Sequence, residues 1–91
     1  PVRAASLFYD LFYAVIDWAI LTDSDVMLAH LSDEGERLTM RLLPSKDARY
    51  FDLADVLKEA IDASGGRFSI RDLDDATGIS LSFPKEVVGH A

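Results

Sequence analysis

Cysteine is absent from the 91 residues of the chain. Its absence excludes a disulfide-stapled scaffold and any metal site built from thiolates, and it leaves the redox compartment open. A chain of this length has room for a single core, so we treat residues 1–91 as one domain. The hydrophobic share of 49% and the charged share of 27% are typical of a globular domain.

Positive charge is also scarce. Nine Lys and Arg residues against 16 Asp and Glu residues give a net charge of −7. Binding to polyanions requires a basic footprint, so we expect no nucleic-acid partner and no direct contact with a membrane. No apolar run approaches the ~20 residues of a membrane-spanning helix, because Asp10 and Asp17 interrupt the longest one. No signal peptide is recognisable. Since the chain begins with Pro1 and not with Met, we expect a fragment of a longer protein.

The strongest apolar pattern lies in residues 6–21. Its apolar side chains recur at spacings of three and four, which predicts a helix from Ser6 to Leu21 with Ser6 as the N-cap. Asp10 and Asp17 fall on the opposite face of that helix. Burying the six large side chains of the stripe is worth about 9–18 kcal/mol before entropy is subtracted. The stripe consists of Leu7, Phe8, Leu11, Phe12, Val15, Ile16 and Ala19.

A hairpin is predicted after this helix. Residues 26–31 and 38–43 are short apolar stretches, and the polar segment between them contains Gly35, so they read as two strands and a turn. Residues 45–50 then form a connector. We expect this connector to lead directly into a second helix.

The second helix is predicted from Asp52 to Ser64, with Asp52 as its N-cap and Gly65 as its stop. Residues 66–72 and 77–83 follow, each with the alternating pattern of a strand that is buried on one face. The last residues, 85–91, are expected to be a tail.

The predicted order is therefore αββαββ. Two amphipathic helices and four strands with one polar face indicate an α+β fold. We expect a two-layer α/β sandwich, in which both helices cover one face of a four-stranded, mostly antiparallel (mixed) sheet.

Side chains that could perform chemistry are few. Asp72, Asp74 and Asp75 match the start of a calcium loop in part, but the twelfth position counted from Asp72 is Phe83, where such a loop needs a Glu. We therefore predict a turn. His30 lies in a predicted strand without a second ligand at metal-binding spacing. No nucleophile elbow and no glycine-rich phosphate loop is present, so we expect no catalytic residue and no metal site.

Two segments carry a family resemblance. The helix that runs into Gly65-Gly66, the strand after it, and the run Ala76–Pro84 (ATGISLSFP) resemble the C-terminal end of the histidine-kinase-like (Bergerat) ATPase domain of bacterial sensor histidine kinases. In that family the last strand has the pattern Gly-Thr-x-φ-x-φ-x-φ-Pro, where φ is apolar. Thr77 and Pro84 keep this spacing, and Ala76 replaces the Gly.

The first helix is similar to the N-box of the same family, Asn-φ-φ-x-Asn-Ala-φ. The corresponding run here is Ala14–Ile20, AVIDWAI. Trp18 stands where the family has the Asn that binds Mg²⁺, and Ala14 replaces the other Asn. An indole offers one N–H donor and no oxygen, so it cannot hold a hard cation. Asp17 is the nearest remaining carboxylate.

The nucleotide-binding loops of the family are missing as well. No Asp-x-Gly-x-Gly segment for adenine lies between Leu43 and Phe51, and no lid with Gly-x-Gly precedes the second helix. Without such backbone N–H groups nothing cradles phosphates. The resemblance thus implies a vestigial nucleotide site at Ala14, Asp17, Trp18 and Thr77, with Trp18 filling part of the former pocket and Thr77 deprived of its partners.

The resemblance implies a degenerate ATPase-like domain that has kept the scaffold and lost nucleotide binding. We expect no cofactor, and ATP and Mg²⁺ would bind only if the vestigial site still works. We also expect the domain to be cytoplasmic, either by itself or as the cytoplasmic part of a membrane-bound sensor. Its partners would be other signalling domains or a second copy of itself. The parent protein can still be an active kinase that binds nucleotide in an unrecognised way. An unrelated α/β adaptor or oligomerisation module is the remaining alternative, because order of elements alone does not fix function.

The connectivity of the sheet discriminates the histidine-kinase-like domain from the unrelated module. A histidine-kinase-like fold places the last hairpin beside the first in one mixed sheet, with both helices on one face. In any of these cases, exposed aromatic rings near Tyr9, Tyr13 or Trp18 would mark a contact surface. The simpler expectation is that these rings belong to the core.

Overall fold

The computed structural model describes residues 2–73 and 76–85. The helices are α1 (Val2–Leu21) and α2 (Asp55–Ala63), with a short 3₁₀ helix, η1 (Ala48–Tyr50), before α2. The strands are β1 (Val26–Glu34), β2 (Arg37–Pro44), β3 (Arg67–Leu73) and β4 (Ala76–Pro84). The predicted order of elements is confirmed. The predictions for residues 74, 75 and 86–91 lie outside the described residues.

Helix α1 begins earlier than the sequence predicted. It starts at Val2, so Ser6 lies inside the helix and is not its N-cap. Good helix formers precede Ser6, and they extend the helix toward the N-terminus. The C-terminal end is as predicted: Asp23 adopts a positive φ of 55°, and the Ser24 N–H donates 2.7 Å to the Ala19 carbonyl. This left-handed residue ends the helix.

Helix α2 begins later than predicted. Ala54 is its N-cap and offers no side-chain cap, while Asp52 precedes the helix. The burial pattern gives the reason: Phe51 and Leu53 are buried and Asp52 and Ala54 are exposed, which is the period of two of an extended segment. The end of the helix agrees with the prediction, because Gly65 has a φ of 75°.

The four strands form one sheet in the order β1-β2-β4-β3. Every pairing is antiparallel, with Met40 opposite Leu81 in β2–β4 and Phe68 opposite Leu81 in β3–β4. The last hairpin therefore lies beside the first, within a single sheet. The predicted four-stranded, mostly antiparallel sheet is confirmed.

The core lies between the helices and one face of this sheet. Phe83 of β4 meets Phe8 of α1 edge to face, with ring centroids 5.1 Å apart. Both helices contribute to the same cluster as the sheet, which places them on one face of it. The buried members of this cluster are Leu7, Phe8, Leu11, Val15, Met40, Leu42, Ala48, Phe51, Leu53, Ile61, Ile79, Leu81 and Phe83.

Strand β1 is at an edge of the sheet and is not covered by the helices. Ala29 and Leu31 share the helix-facing side with the core residues Leu42 and Met40, their register partners, yet both are exposed. Helix α2 packs toward β3 at the other edge. None of the described helices combines the length and the apolar character that crossing a membrane requires.

Candidate functional site

The four residues of the predicted vestigial site lie in different environments. Ala14 and Trp18 are half-buried and pack against the core, whereas Asp17 is exposed on α1. The indole of Trp18 meets the ring of Phe51 edge to face at 5.7 Å. Thr77 is buried on β4. None of the three α1 residues joins Thr77 in the cleft described below.

Thr77 connects β4 to η1. Its hydroxyl donates a hydrogen bond of 3.1 Å to Asp47 Oδ1 and accepts one from the backbone N–H of Ala48. Ala48 is fully buried, so this N–H has no access to water. The threonine therefore satisfies a donor that the short helix would otherwise leave unpaired.

Asp47 is the N-cap of η1. Its carboxylate accepts from the Arg49 backbone N–H at 3.0 Å and from the Arg49 guanidinium at 2.6–3.1 Å. The hydrogen bonds from the Arg49 side chain, followed by that from its backbone, hold the pKa of Asp47 far below its ordinary value of 3.8. The same pairing raises the pKa of Arg49. Asp47 is therefore ionised and fully engaged at neutral pH.

Serine side chains hold the loop before Asp47 in place. Ser45 Oγ accepts from the Asp25 N–H at 2.9 Å and lies 3.0 Å from Ser24 Oγ. Ser24 Oγ in turn accepts from the Lys46 N–H at 3.1 Å. These bonds join the segment after α1 to the segment after β2 and fix the position of Lys46 and Asp47.

A cleft of about 750 Å³ opens to solvent at this end of the sheet. It carries charges of both signs: the side chains of Lys46 and Arg49 are positive, and those of Asp47 and Asp72 are negative. The lining residues are Met27, Leu43, Pro44, Ser45, Lys46, Asp47, Arg49, Asp72, Leu73, Ala76 and Thr77.

The described lining of the cleft does not form a glycine-rich phosphate loop. This lining contains no glycine that would let backbone N–H groups approach a phosphate. The Asp47 carboxylate and the Thr77 hydroxyl already bond to each other, to Arg49 and to Ala48, so a ligand would have to displace these bonds. Within residues 2–73 and 76–85, no three His, Asp or Glu side chains are grouped to hold a metal ion.

Sequence reasoning identified Thr77 but missed Asp47 and Arg49. The segment 45–50 was expected to be a plain connector, and it contains η1 instead. The available signal was Asp47 before two residues of helical propensity, which is the pattern of an N-cap. Nothing in the sequence, however, indicates that Thr77 lies across from Asp47, because that contact depends on the sheet register.

A second candidate surface lies on α1. Tyr9, Tyr13 and Ile20 are 66%, 63% and 72% exposed. With the half-buried Phe12 and Ile16 they follow spacings of three and four and form the exposed α1 stripe. The rings of Phe12 and Tyr13 lie edge to face, with their centroids 6.0 Å apart. Tyr9 and Tyr13 are thus on the surface, whereas Trp18 is half-buried and packs against the core.

The comparisons with known proteins give no family for the chain: no family model, no curated protein and no solved structure matches it.

Proposed function

We propose that the chain is a degenerate histidine-kinase-like ATPase domain that has lost nucleotide binding and acts as a protein-contact module in signalling. The contact uses the exposed α1 stripe, and its occupant is a second copy of the chain. The domain itself holds no ATP and no Mg²⁺ and catalyses no reaction.

The observation that carries this proposal is that α1 is apolar on two faces. One face packs into the core through Leu7, Leu11 and Val15, which are all fully buried. The other face is the exposed α1 stripe, and within the described residues no side chain covers Tyr9 or Tyr13. A helix that is apolar on nearly all sides is normally enclosed, so an uncovered second face indicates a protein contact.

Loss of nucleotide binding is supported by the bonds within the cleft. The Thr77–Asp47 pair is satisfied internally, and the Trp18 indole packs on Phe51 in place of a metal-binding amide. The sequence also lacks the glycine-rich segments that bind adenine and phosphates in the family.

The connectivity of the sheet supports the histidine-kinase-like scaffold over an unrelated adaptor. The second hairpin lies beside the first, β4 next to β2, and both helices cover one face. A swapped or two-sided arrangement would have favoured the unrelated module. The sheet departs from the expected mixed pattern in being antiparallel throughout.

A second copy is the partner that explains two uncovered features at once. In a two-fold pair the same patch meets itself, so each apolar stripe covers the other. Among the described strands β1 pairs with β2 alone, and Met27 and Leu31 are exposed on it. Free apolar edges tend to be paired or shielded in stable proteins.

Sedimentation equilibrium over a range of protein concentrations tests this contact. We expect a monomer–dimer equilibrium that Tyr9→Ser/Tyr13→Ser shifts to the monomer. Tyr50→Ser is the control, because Tyr50 is 80% exposed but lies on η1. A chain that stays monomeric at millimolar concentration would contradict the dimer. Dimerisation that the double variant leaves unchanged would show that the contact lies elsewhere.

Titration with ATP and Mg²⁺, followed through backbone amide shifts, tests the loss of nucleotide binding separately. We expect no saturable shifts at residues 47, 48 and 77. Binding at micromolar concentration would contradict the proposal even if the chain dimerises.

A further inference from the structure

The face of the sheet away from the helices contains a trough along β4. Strand β4 lies between β2 and β3 and presents only Gly78, Ser80 and Ser82 to this face in the middle of the sheet. Neighbouring strands are about 4.8 Å apart, so the flanking strands stand roughly 10 Å from each other. That width accommodates one extended polypeptide.

Arginines form both walls of this trough. Arg37 and Arg41 project from β2, and Arg67 and Arg71 from β3, on the same face as the serines of β4. Four of the six arginines in a chain of net charge −7 are thus gathered on one surface. Among the described strand residues, Glu34 is the one carboxylate on this face. We name this surface, from Gly78 to Ser82 with its four arginines, the arginine trough.

The two walls differ in how their charges are engaged. Arg41 pairs with Glu34 at 2.5 Å, and Arg37 donates to Ser82 Oγ at 3.0 Å and to the Gly65 carbonyl at 3.1 Å. Arg67 and Arg71 are exposed and make no hydrogen bond or ion pair within the described residues. The pKa of Arg37 is lowered, first by burial and then by the like charge of Arg67. The β3 wall therefore offers two exposed cations, of which Arg71 also attracts the Glu34 carboxylate and so helps to lower its pKa, after Arg41 and Ser32.

An apolar hollow lies at one end of the trough. Leu28, Leu43 and Leu73 surround Gly78 there, and the hollow has a volume of about 80 Å³. A Cβ added at Gly78 would lie 3.6 Å from Leu73 Cδ1, so any larger residue at this position would occupy part of the hollow. The size suits one small aliphatic side chain. Arg41 and Arg71 border the hollow.

We propose that the arginine trough binds an extended acidic polypeptide segment that ends in an aliphatic residue. Its carboxylates pair with Arg67 and Arg71, the serine hydroxyls of β4 provide hydrogen bonds, and the aliphatic side chain fills the hollow. This surface is on the opposite side of the sheet from α1, so the proposal stands independently of the contact through the exposed α1 stripe.

Charge and side-chain type favour a peptide over a nucleic acid. A long polyanion extends beyond the trough and is repelled by the net charge of −7 on the chain. A short acidic segment contacts only the arginines of the trough, which attract it. Proteins that bind single strands stack bases on aromatic rings. Among the described residues on this face of the strands there is no Phe, Tyr or Trp, and the imidazole of His30 lies on β1, outside the trough.

The test uses the full chain and a fluorescein-labelled peptide of about eight residues, in which Glu alternates with Ser before a terminal Leu. At ~3.3 Å per residue this peptide spans both arginine pairs. We expect saturable fluorescence anisotropy that weakens with salt, because exposed charge pairs are screened. A peptide with Gln in place of Glu should not bind.

Charge reversal locates the site. Arg71→Glu should weaken binding about fivefold, and Arg67→Glu/Arg71→Glu should weaken it at least about tenfold. Lys58→Glu is the control, since it makes the same change of net charge on α2 and should alter affinity less than about twofold. Circular dichroism establishes that each variant is folded.

Three results would overturn the proposal. The first is the absence of peptide binding at millimolar concentration. The second is equal weakening by Arg71→Glu and Lys58→Glu, which would indicate an effect of net charge alone. The third is tighter binding of oligothymidylate or of phosphatidylserine vesicles than of the peptide, which would assign the arginines to a different polyanion.

Discussion

Thr77 Oγ1 donates a hydrogen bond of 3.1 Å to Asp47 Oδ1, across 30 residues of sequence. The same oxygen accepts from the buried Ala48 N–H, so one threonine side chain joins β4 to the N-terminus of η1. The family resemblance associates this threonine with a nucleotide site. In this chain the hydroxyl of Thr77 instead links β4 to η1 through two hydrogen bonds.

Replacing this hydroxyl should cost stability. Thr77→Val keeps the shape of the side chain but leaves the Ala48 N–H without an acceptor, and we expect the free energy of unfolding to fall by about 1–3 kcal/mol. Urea unfolding followed by circular dichroism measures the change. Thr39→Val is the control, because Thr39 is also buried but its hydroxyl makes no hydrogen bond within the described residues. Equal losses in the two variants would show that the Thr77 bonds contribute little.

Asp47 should make stability depend on pH. Hydrogen bonds from Arg49 lower its folded pKa below the ordinary 3.8, so its contribution is complete above about pH 4 and is lost as the pH falls. We expect Asp47→Asn to unfold at lower urea than the parent at pH 7, and the difference to shrink between about pH 4 and pH 2. Glu59→Gln removes an exposed carboxylate and should stay close to the parent throughout. A difference for Asp47→Asn that is the same at both ends of this range would contradict the assignment.

The sequence predicted the elements and their layers because their periodicities are strong. The alternation of residues 77–83 appears as predicted. The predicted stripe of α1 is buried at Leu7, Phe8, Leu11, Val15 and Ala19, but Phe12 and Ile16 are only half-buried and belong to the exposed α1 stripe. The helix starts were wrong at Ser6 and Asp52. Both positions hold a residue type that often caps helices, but neither side chain determines where its helix begins.

The candidate site was less accessible to sequence reasoning. Thr77 was identified from a strand motif, but its partner Asp47 comes from a segment without periodicity, and only the register of β4 brings the two together. The arginine trough was missed for the same reason. Arg37, Arg41, Arg67 and Arg71 lie in two strands that become neighbours of β4 only after the sheet has formed, while the composition indicated an acidic chain.

Gly66 should tolerate no side chain. A Cβ there would lie 2.6 Å from Phe83 Cε1 and 2.7 Å from Ile61 Cγ2, both in the core. We expect Gly66→Ala to lower the free energy of unfolding by about 1–3 kcal/mol through overpacking. Gly78→Ala is the control, because its nearest contacts are 3.6 and 3.7 Å. We expect a clearly lower midpoint of thermal unfolding for Gly66→Ala than for Gly78→Ala. Similar midpoints would show that the core beside Gly66 can rearrange to accept a methyl group.

Trp18 offers the sharpest test of the proposed loss of a nucleotide site. Trp18→Asn returns the amide that the family resemblance places at this position. It also removes the edge-to-face contact with Phe51. Because Trp18 is only half-buried, we expect a loss of about 2 kcal/mol, less than for a fully buried tryptophan.

We further expect Trp18→Asn to gain no binding of ATP and Mg²⁺. One amide oxygen does not make a magnesium site, and Ala14 and the missing glycine-rich segments still supply no ligands. Circular dichroism should follow unfolding, since the chain has no other tryptophan to report by fluorescence. Trp18→Phe, which keeps an aromatic ring against Phe51, should lose less stability. If Trp18→Asn instead binds the nucleotide at micromolar concentration, the indole alone closes an otherwise intact pocket, because every other departure from the family is still present in that variant.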